Sequence, residues 1–371
     1  MKETKTSKKY FEHLDGTRFF AFFLVFLVHC FVSVDSKIGD SSIYQSVEQF
    51  FKVGFLGVDY FFVLSGFLIA WVILHEKNTT KKFDFGNFFI RRVLRIWPLY
   101  FLIVFAGFLV YYASHSYGIE ASGLPPFYNF ALFVINFYSI YEGVDYLFFL
   151  TFLWSISVEE QFYVGYSIIV KLFFKLNLFL LALLLIVVSI IYRYLNVDFG
   201  QQLYFHTFSI LGNFGVGILV AYLAQQKNQL FVWLVNRDNV FSGVIYGILF
   251  LSLIYFNELN EWNTFRVFSK LYFSLLFGYI VFEQCFSKNR FLSFGQNRII
   301  KYLGKISFGL YCYHGVVVTI LIKVLERLNF QETFWHVFLI YPSIILLLSI
   351  GLSAVSYKYF EGYFLKLKNR Y

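Results

Sequence analysis

Apolar stretches about long enough to cross a bilayer recur along almost the whole 371-residue chain, and they constrain its fold more than any other feature. Roughly 20 mostly apolar residues make a spanning helix, because the bilayer core holds no water to satisfy an irregular backbone. Such runs lie near residues 19–34, 55–75, 96–113, 148–170, 178–195, 205–225, 240–257, 267–286, 306–326 and 335–357. The expected fold is an all-α, polytopic transmembrane bundle of about ten spanning helices, with residues 1–371 as a single membrane-embedded domain. At 59% hydrophobic and 14% charged, with a mean hydropathy of +0.65, the composition excludes an ordinary soluble domain.

Lys and Arg set the expected sidedness, since they gather in cytoplasmic loops. With ten spans, 24 of the 31 Lys and Arg border alternate connections: five up to Arg18, six from Lys77 to Arg95, Lys171 and Lys175, Lys227 and Arg237, five from Lys288 to Lys305, and four after Tyr357. Both termini are then expected on the cytoplasmic side, with 1–17 and 358–371 as tails. A further run, Phe127 to Ile140, has only 14 residues, follows Pro125 and Pro126, and contains Asn129 and Asn136. Counting it as a span would turn the basic clusters at 288–305 and 358–371 outward, so it is expected to be re-entrant or to lie at the surface.

The net charge of +9 does not point to nucleic acid, because the basic residues flank apolar runs and form no face of their own. The first apolar run follows 18 polar residues and lacks a small-residue cleavage site, which predicts a retained span and not a signal peptide. Cys30, Cys285 and Cys312 sit in or beside apolar runs without metal-type spacing and read as inert thiols. No metal site, glycine-rich phosphate loop or internal repeat is visible.

Ionisable side chains inside spans are costly, and they mark candidate sites. Arg18 and His29 are 11 residues apart on the first span, which returns to nearly the same helix face about 16 Å along the axis. The plainer reading is an arginine snorkelling to the interface and a histidine bonded within the bundle. Arg91, Arg92 and Arg95 precede Pro98 at the start of the third span, with Arg92 and Arg95 on one face. Three guanidinium groups there suit a polyanion, since the Arg fork matches phosphate, although topology-setting charge beside anionic lipid would look the same. In LWSISVEEQFYV, Glu159 and Glu160 point about 100° apart, so that one of them is expected to face a cavity.

These clusters, in this order, resemble the acyltransferase-3 family of membrane acyltransferases. LDGTRFFAFFLVFLVHC at 14–30 is similar to the family's Leu-Asp-Gly-x-Arg opening with a following His, and GFLGVDYFFVLSGFLIA at 54–70 resembles its Gly-Val-Asp-x-Phe-Phe-Val-Leu-Ser-Gly-Phe block. RRVLRIWPLY at 91–100 carries Arg-x-x-Arg followed by Pro-x-Tyr, and LWSISVEEQFY at 153–163 is close to Trp-Ser-x-Ser-x-Glu-Glu-Gln-Phe-Tyr. LGKISFGLYCYH at 303–314 resembles the Ser-Tyr-Gly-x-Tyr-x-x-His stretch, with Phe308 where Tyr is usual. SAVSYKYFEGYF at 353–364 resembles the closing Ser-Tyr-x-x-Phe-Glu-x-Pro, with Gly362 in place of Pro.

The resemblance implies a multi-pass enzyme of the bacterial inner membrane. Such an enzyme moves an acyl group, often acetyl, from cytoplasmic acyl-CoA to a hydroxyl of an envelope glycan or glycolipid. It also implies a stand-alone membrane domain that acts on its acceptor directly or through a separate extracytoplasmic acyl-accepting partner. On this reading Arg18, Arg91, Arg92 and Arg95 hold the phosphates of acetyl-CoA, and no metal is used. His29 acts as general base or transiently acylated nucleophile, and Asp59, Glu159 and Glu160 orient it or meet the acceptor. His314 is expected in a structural or donor-side role, nearer the cytoplasm. The residue chemistry alone leaves room for a transporter of a small carboxylate or lipid-linked sugar using the same Arg and His, though many transporters are built from the repeats that are missing here.

Overall fold

The computed structural model describes residues 10–80, 83–116, 123–173, 176–328, 330–368 and 370. Residues 1–9 of the expected N-terminal tail and residues 369 and 371 of the C-terminal one lie outside the described residues. Ten long helices carry the fold: α1 (His13–His29), α2 (Leu56–Thr80), α3 (Phe85–Ser116), α4 (Leu153–Leu172), α5 (Leu178–Leu195), α6 (Thr207–Gln226), α7 (Asn239–Ile254), α8 (Asn263–Phe286), α9 (Ser307–Leu328) and α10 (Tyr341–Val355). No strand occurs among the described residues.

Seven of the helical stretches are long and apolar enough to cross a membrane, or up to eight if α7 and the preceding helix Gln229–Val235, bent by 88°, form one broken span. Length or charge sets the other two long helices apart. Helix α1 has 17 residues, and α4 carries Glu159, Glu160 and Lys171 within its 20. The chain is a multi-pass membrane protein, and its polarity is distributed accordingly: Leu180, Leu184, Val187, Leu347 and Leu348 are exposed, while Asp59, Glu160, Arg193, Lys270 and His314 are buried.

Local chemistry fixes the helix ends. Side chains of Asn177, Asn228, Asp238 and Asn297 each accept a backbone N–H two or three residues ahead, satisfying donors that a helix start leaves free. Small residues fix how closely the helices approach. A Cβ on Gly217 of α6 would stand 2.1 Å from the Val63 carbonyl oxygen of α2, so only glycine lets these backbones touch.

Two expected boundaries differ, and the 127–140 segment acquires a defined form. The first helix begins at His13, ahead of the apolar run, because Phe11 packs on Phe67, Trp71 and Phe286 and Leu14 is 1% exposed. Beyond α10 the chain stays helical through Ser356–Glu361 and Gly362–Lys368, and the latter packs along α3 where a tail was expected. The 127–140 segment forms two short helices, Phe127–Ala131 and Ile135–Tyr141, broken at Phe133 with φ of 54°. Gln161 Nε2 donates to the Phe133 carbonyl at 2.6 Å and to Asn136 Oδ1 at 2.9 Å, satisfying the acceptor that the break leaves free.

Candidate active site

A cavity opens between α1, α2, α3, α4 and α9. Arg18, Arg92 and Arg95 line it, together with Ser65, Glu159 and Tyr163. Arg18 is held in place by Asp15, three residues earlier on the same helix face, through a 2.6 Å ion pair, and Asp15 also accepts from the Tyr10 hydroxyl. Arg92 lies over the rings of Phe88 and Tyr163, 5.5 and 5.3 Å from their centroids. Neither Arg92 nor Arg95 forms an ion pair among the described residues, so that two guanidinium groups present open donors to the cavity. Arg91 does not line it; its guanidinium binds Glu76 Oε1 at 3.2 Å on the flank of α2.

The two adjacent carboxylates of α4 part company. Glu159 turns into the cavity, where Ser65 Oγ donates to Oε1 at 2.7 Å and the Tyr163 hydroxyl donates to Oε2 at 3.1 Å. Glu160 turns toward α3 and accepts from Trp97 Nε1 at 3.0 Å. Neither makes a hydrogen bond or ring contact with His29. Helix α4 is turned so that the Glu159 face meets α2, and the expected place beside His29 is taken by Phe152.

Past the arginines, Tyr311 forms the far wall of the cavity. Its hydroxyl is 2.8 Å from Ser155 Oγ and 3.2 Å from the Phe152 carbonyl. One layer further stand two histidines. The rings of His29 and His314 are 5.5 Å apart, and Phe152 packs 4.6 Å from each of them. Phe152 reaches α9 because residue 315 is glycine; a Cβ there would sit 2.3 Å from the phenylalanine ring. His314 Nδ1 lies 2.7 Å from the Tyr311 carbonyl and 3.2 Å from that of Leu310. Carbonyls only accept, so Nδ1 carries a proton, and in the neutral ring the lone pair is on Nε2.

That Nε2 and Nδ1 of His29 are buried without a hydrogen-bond partner among the described residues. Buried nitrogens left unsatisfied mark a place where a further group belongs. His314 therefore stands with His29 and not with the arginines that the expectation grouped it with, because α9 brings its eighth residue to the end of α1.

Asp59 also stands elsewhere. Its carboxylate binds Lys270 Nζ of α8 at 2.5 Å, with exposures of 1% and 7%, on the side of α2 away from the arginines. The sequence reading did not single out Lys270, Ser65, Tyr311 or Phe152. A lysine within an apolar run was the available signal for the first; the motif stretches already held Ser65 and Tyr311, and Phe152 immediately precedes the stretch at 153–163.

Residues 11–354 of this multi-pass helix bundle, which include the arginine-lined cavity and the histidine pair, match the acyltransferase domain family, acyltransferase-3. The chain belongs to that family. It is similar to O-acetyltransferase OatA of Staphylococcus aureus (strain NCTC 8325 / PS 47), 26% identical over 337 residues covering 85% of this chain and 52% of that protein. It is also similar to the putative O-acetyltransferase SACOL0978 of Staphylococcus aureus (strain COL), 25% identical over 305 residues covering 75% of this chain and 48% of that one. The chain spans about half the length of the curated relatives it matches. No solved structure matches it.

Proposed function

We propose that the chain is a membrane O-acyltransferase that takes an acyl group, often acetyl, from acyl-CoA at the cytoplasmic mouth. The acyl group goes to a hydroxyl of an envelope glycan or glycolipid at the opposite face. The observation that carries this reading is the succession of groups: the open guanidinium donors of Arg92 and Arg95 share a cavity with Tyr311, whose ring lies 5.8 Å from that of His314, and the His314 ring lies 5.5 Å from that of His29. The positive-inside distribution supports ten spans with both ends in the cytoplasm, which places Arg92 and Arg95 near the donor side and the C-terminal end of α1 near the acceptor side. The names of the relatives support acetyl as the group and an O-linked product.

In this mechanism Arg18, Arg92 and Arg95 hold the phosphates of coenzyme A, and the thioester enters past Tyr311. One imidazole of the pair takes the proton of the acceptor hydroxyl as its oxygen attacks the thioester carbonyl. The C–S bond breaks, and the departing thiolate takes that proton back from the imidazole. In the covalent variant an imidazole nitrogen attacks the thioester carbonyl and expels the thiolate, and the acceptor oxygen then displaces that imidazole while its proton passes to the second imidazole and on to the thiolate. Glu159, held by Ser65 and Tyr163, balances charge beside the arginines.

The test is transfer of radiolabelled acetyl from acetyl-CoA to envelope glycan in membrane vesicles, comparing wild type with His29→Ala at matched expression. Label with the wild type alone upholds the reading. Equal labelling by His29→Ala makes His29 structural and overturns the mechanism, and no labelling by either overturns the activity.

A further inference from the structure

A second cavity, of about 270 Å³, lies at the end of the bundle where α2 begins and α5 ends, and the chemistry above does not use it. Its wall includes Lys270, and around it stand Arg266, Lys52, Tyr204, Asn257 and Asn260. Four basic side chains line it, counting Arg193, and none of the lining residues is acidic. One of the four is spent: Arg193 donates to the Val267, Leu203 and Arg266 carbonyls and to Ser209 and Ser269, which locks the ends of α5, α6 and α8 together.

The other three are not spent. Lys270 Nζ uses one of an ammonium's three N–H donors on Asp59 Oδ1, among the described residues, and otherwise sees only the rings of Phe55 and Tyr204 at 5.8 and 5.9 Å. Among the described residues the Arg266 guanidinium has a single 3.4 Å bond, to Asn263, and Lys52 has no ion-pair partner. A lysine with 6% exposure lines this cavity with donors to spare, and two more cations and amide and aromatic groups share the lining. Cations recognise an oxyanion, the amides of Asn257 and Asn260 suit hydroxyls, and Tyr204 offers a ring face.

We propose that this pocket binds an oxyanion, phosphate or carboxylate, carried on a hydroxylated carrier. The ligand reaches it from the extracytoplasmic side, and it is the anionic portion of the acceptor. The proposal rests on the function above only for that sidedness and for calling the ligand the acceptor, since binding is read without any acetyl transfer. Two sources share this chemistry: a phosphorylated sugar unit, and the glycerophosphate headgroup of an anionic lipid.

The experiment titrates the purified protein in uncharged detergent with glucose 6-phosphate, with glucose, and with phosphatidylglycerol. Melting temperature is followed for wild type, Lys52→Gln and Arg266→Gln. Both variants sit at the rim, and their elution profile and unliganded melting temperature report that they fold.

Glucose 6-phosphate is expected to stabilise the wild type at about tenfold lower concentration than glucose, and both variants to need about tenfold more of it. Stabilisation by phosphatidylglycerol alone, lost in the same variants, upholds the oxyanion site, assigns it to a lipid headgroup and overturns its assignment to the acceptor. The proposal is overturned if neither anion is distinguished from glucose, or if the variants respond as the wild type does. Loss of acetyl transfer with binding intact would overturn the proposed function and leave this site standing.

Discussion

His29 and His314, 285 positions apart in the chain, hold their imidazole rings 5.5 Å from each other at 44°, with Phe152 packed 4.6 Å from both. Each keeps one buried nitrogen without a partner among the described residues. Because the Tyr311 carbonyl holds the proton of His314 on Nδ1, the lone pair of Nε2 is available for chemistry. This makes His314 as well equipped for proton transfer as His29.

His314→Gln is therefore expected to lower the rate of acetyl transfer by about 10²-fold or more, the usual contribution of a general acid or base. A donor-binding role would instead raise KM for acetyl-CoA and leave kcat near wild type. Initial rates over a range of acetyl-CoA concentrations, in vesicles of matched expression, separate the two.

The three arginines of the 91–95 stretch are expected to differ in effect. Arg92→Ala and Arg95→Ala should each raise KM for acetyl-CoA about tenfold or more, since a charge-assisted bond contributes about 1.5–3 kcal/mol. Arg91→Ala should change KM by less than about threefold, because its side chain binds Glu76 and does not line the cavity. Equal effects at all three positions would contradict this division of the cluster.

Asp59→Asn leaves Lys270 buried without its counter-charge and is expected to destabilise the protein by about 3–5 kcal/mol. The double variant Asp59→Asn, Lys270→Met removes both charges and should recover most of that loss. Melting temperatures of the two single variants and the double variant form a cycle, and a double variant no more stable than Asp59→Asn would show that the ion pair is not what matters there.

Gly217→Ala places a methyl 2.1 Å from the Val63 carbonyl, where backbone and not a flexible side chain must yield. The expected cost is about 1–3 kcal/mol, the usual range for overpacking a tight interface. Gly247→Ala on α7, where a Cβ meets nothing within 4 Å, should leave the melting temperature unchanged and serves as the control.

Much of this protein was determined by the sequence alone. Runs of apolar residues specify helices at a bilayer's length without reference to any neighbour, because a lipid-exposed backbone must satisfy itself. The same is true of Asp15 and Arg18, which meet at three residues' spacing on one helix, and of the divergence of Glu159 from Glu160, which a 100° step per residue imposes. Which of those two glutamates faces the arginines was a matter for tertiary structure, decided by the Ser65 hydroxyl on α2 and the Trp97 indole on α3. So were the removal of Asp59 to Lys270, 211 positions away, and the placing of His314 beside His29. Hydropathy and helical period are properties of neighbours along the chain. The rotation and depth at which one helix meets another depend on where a glycine such as Gly217 or Gly315 lets two surfaces touch.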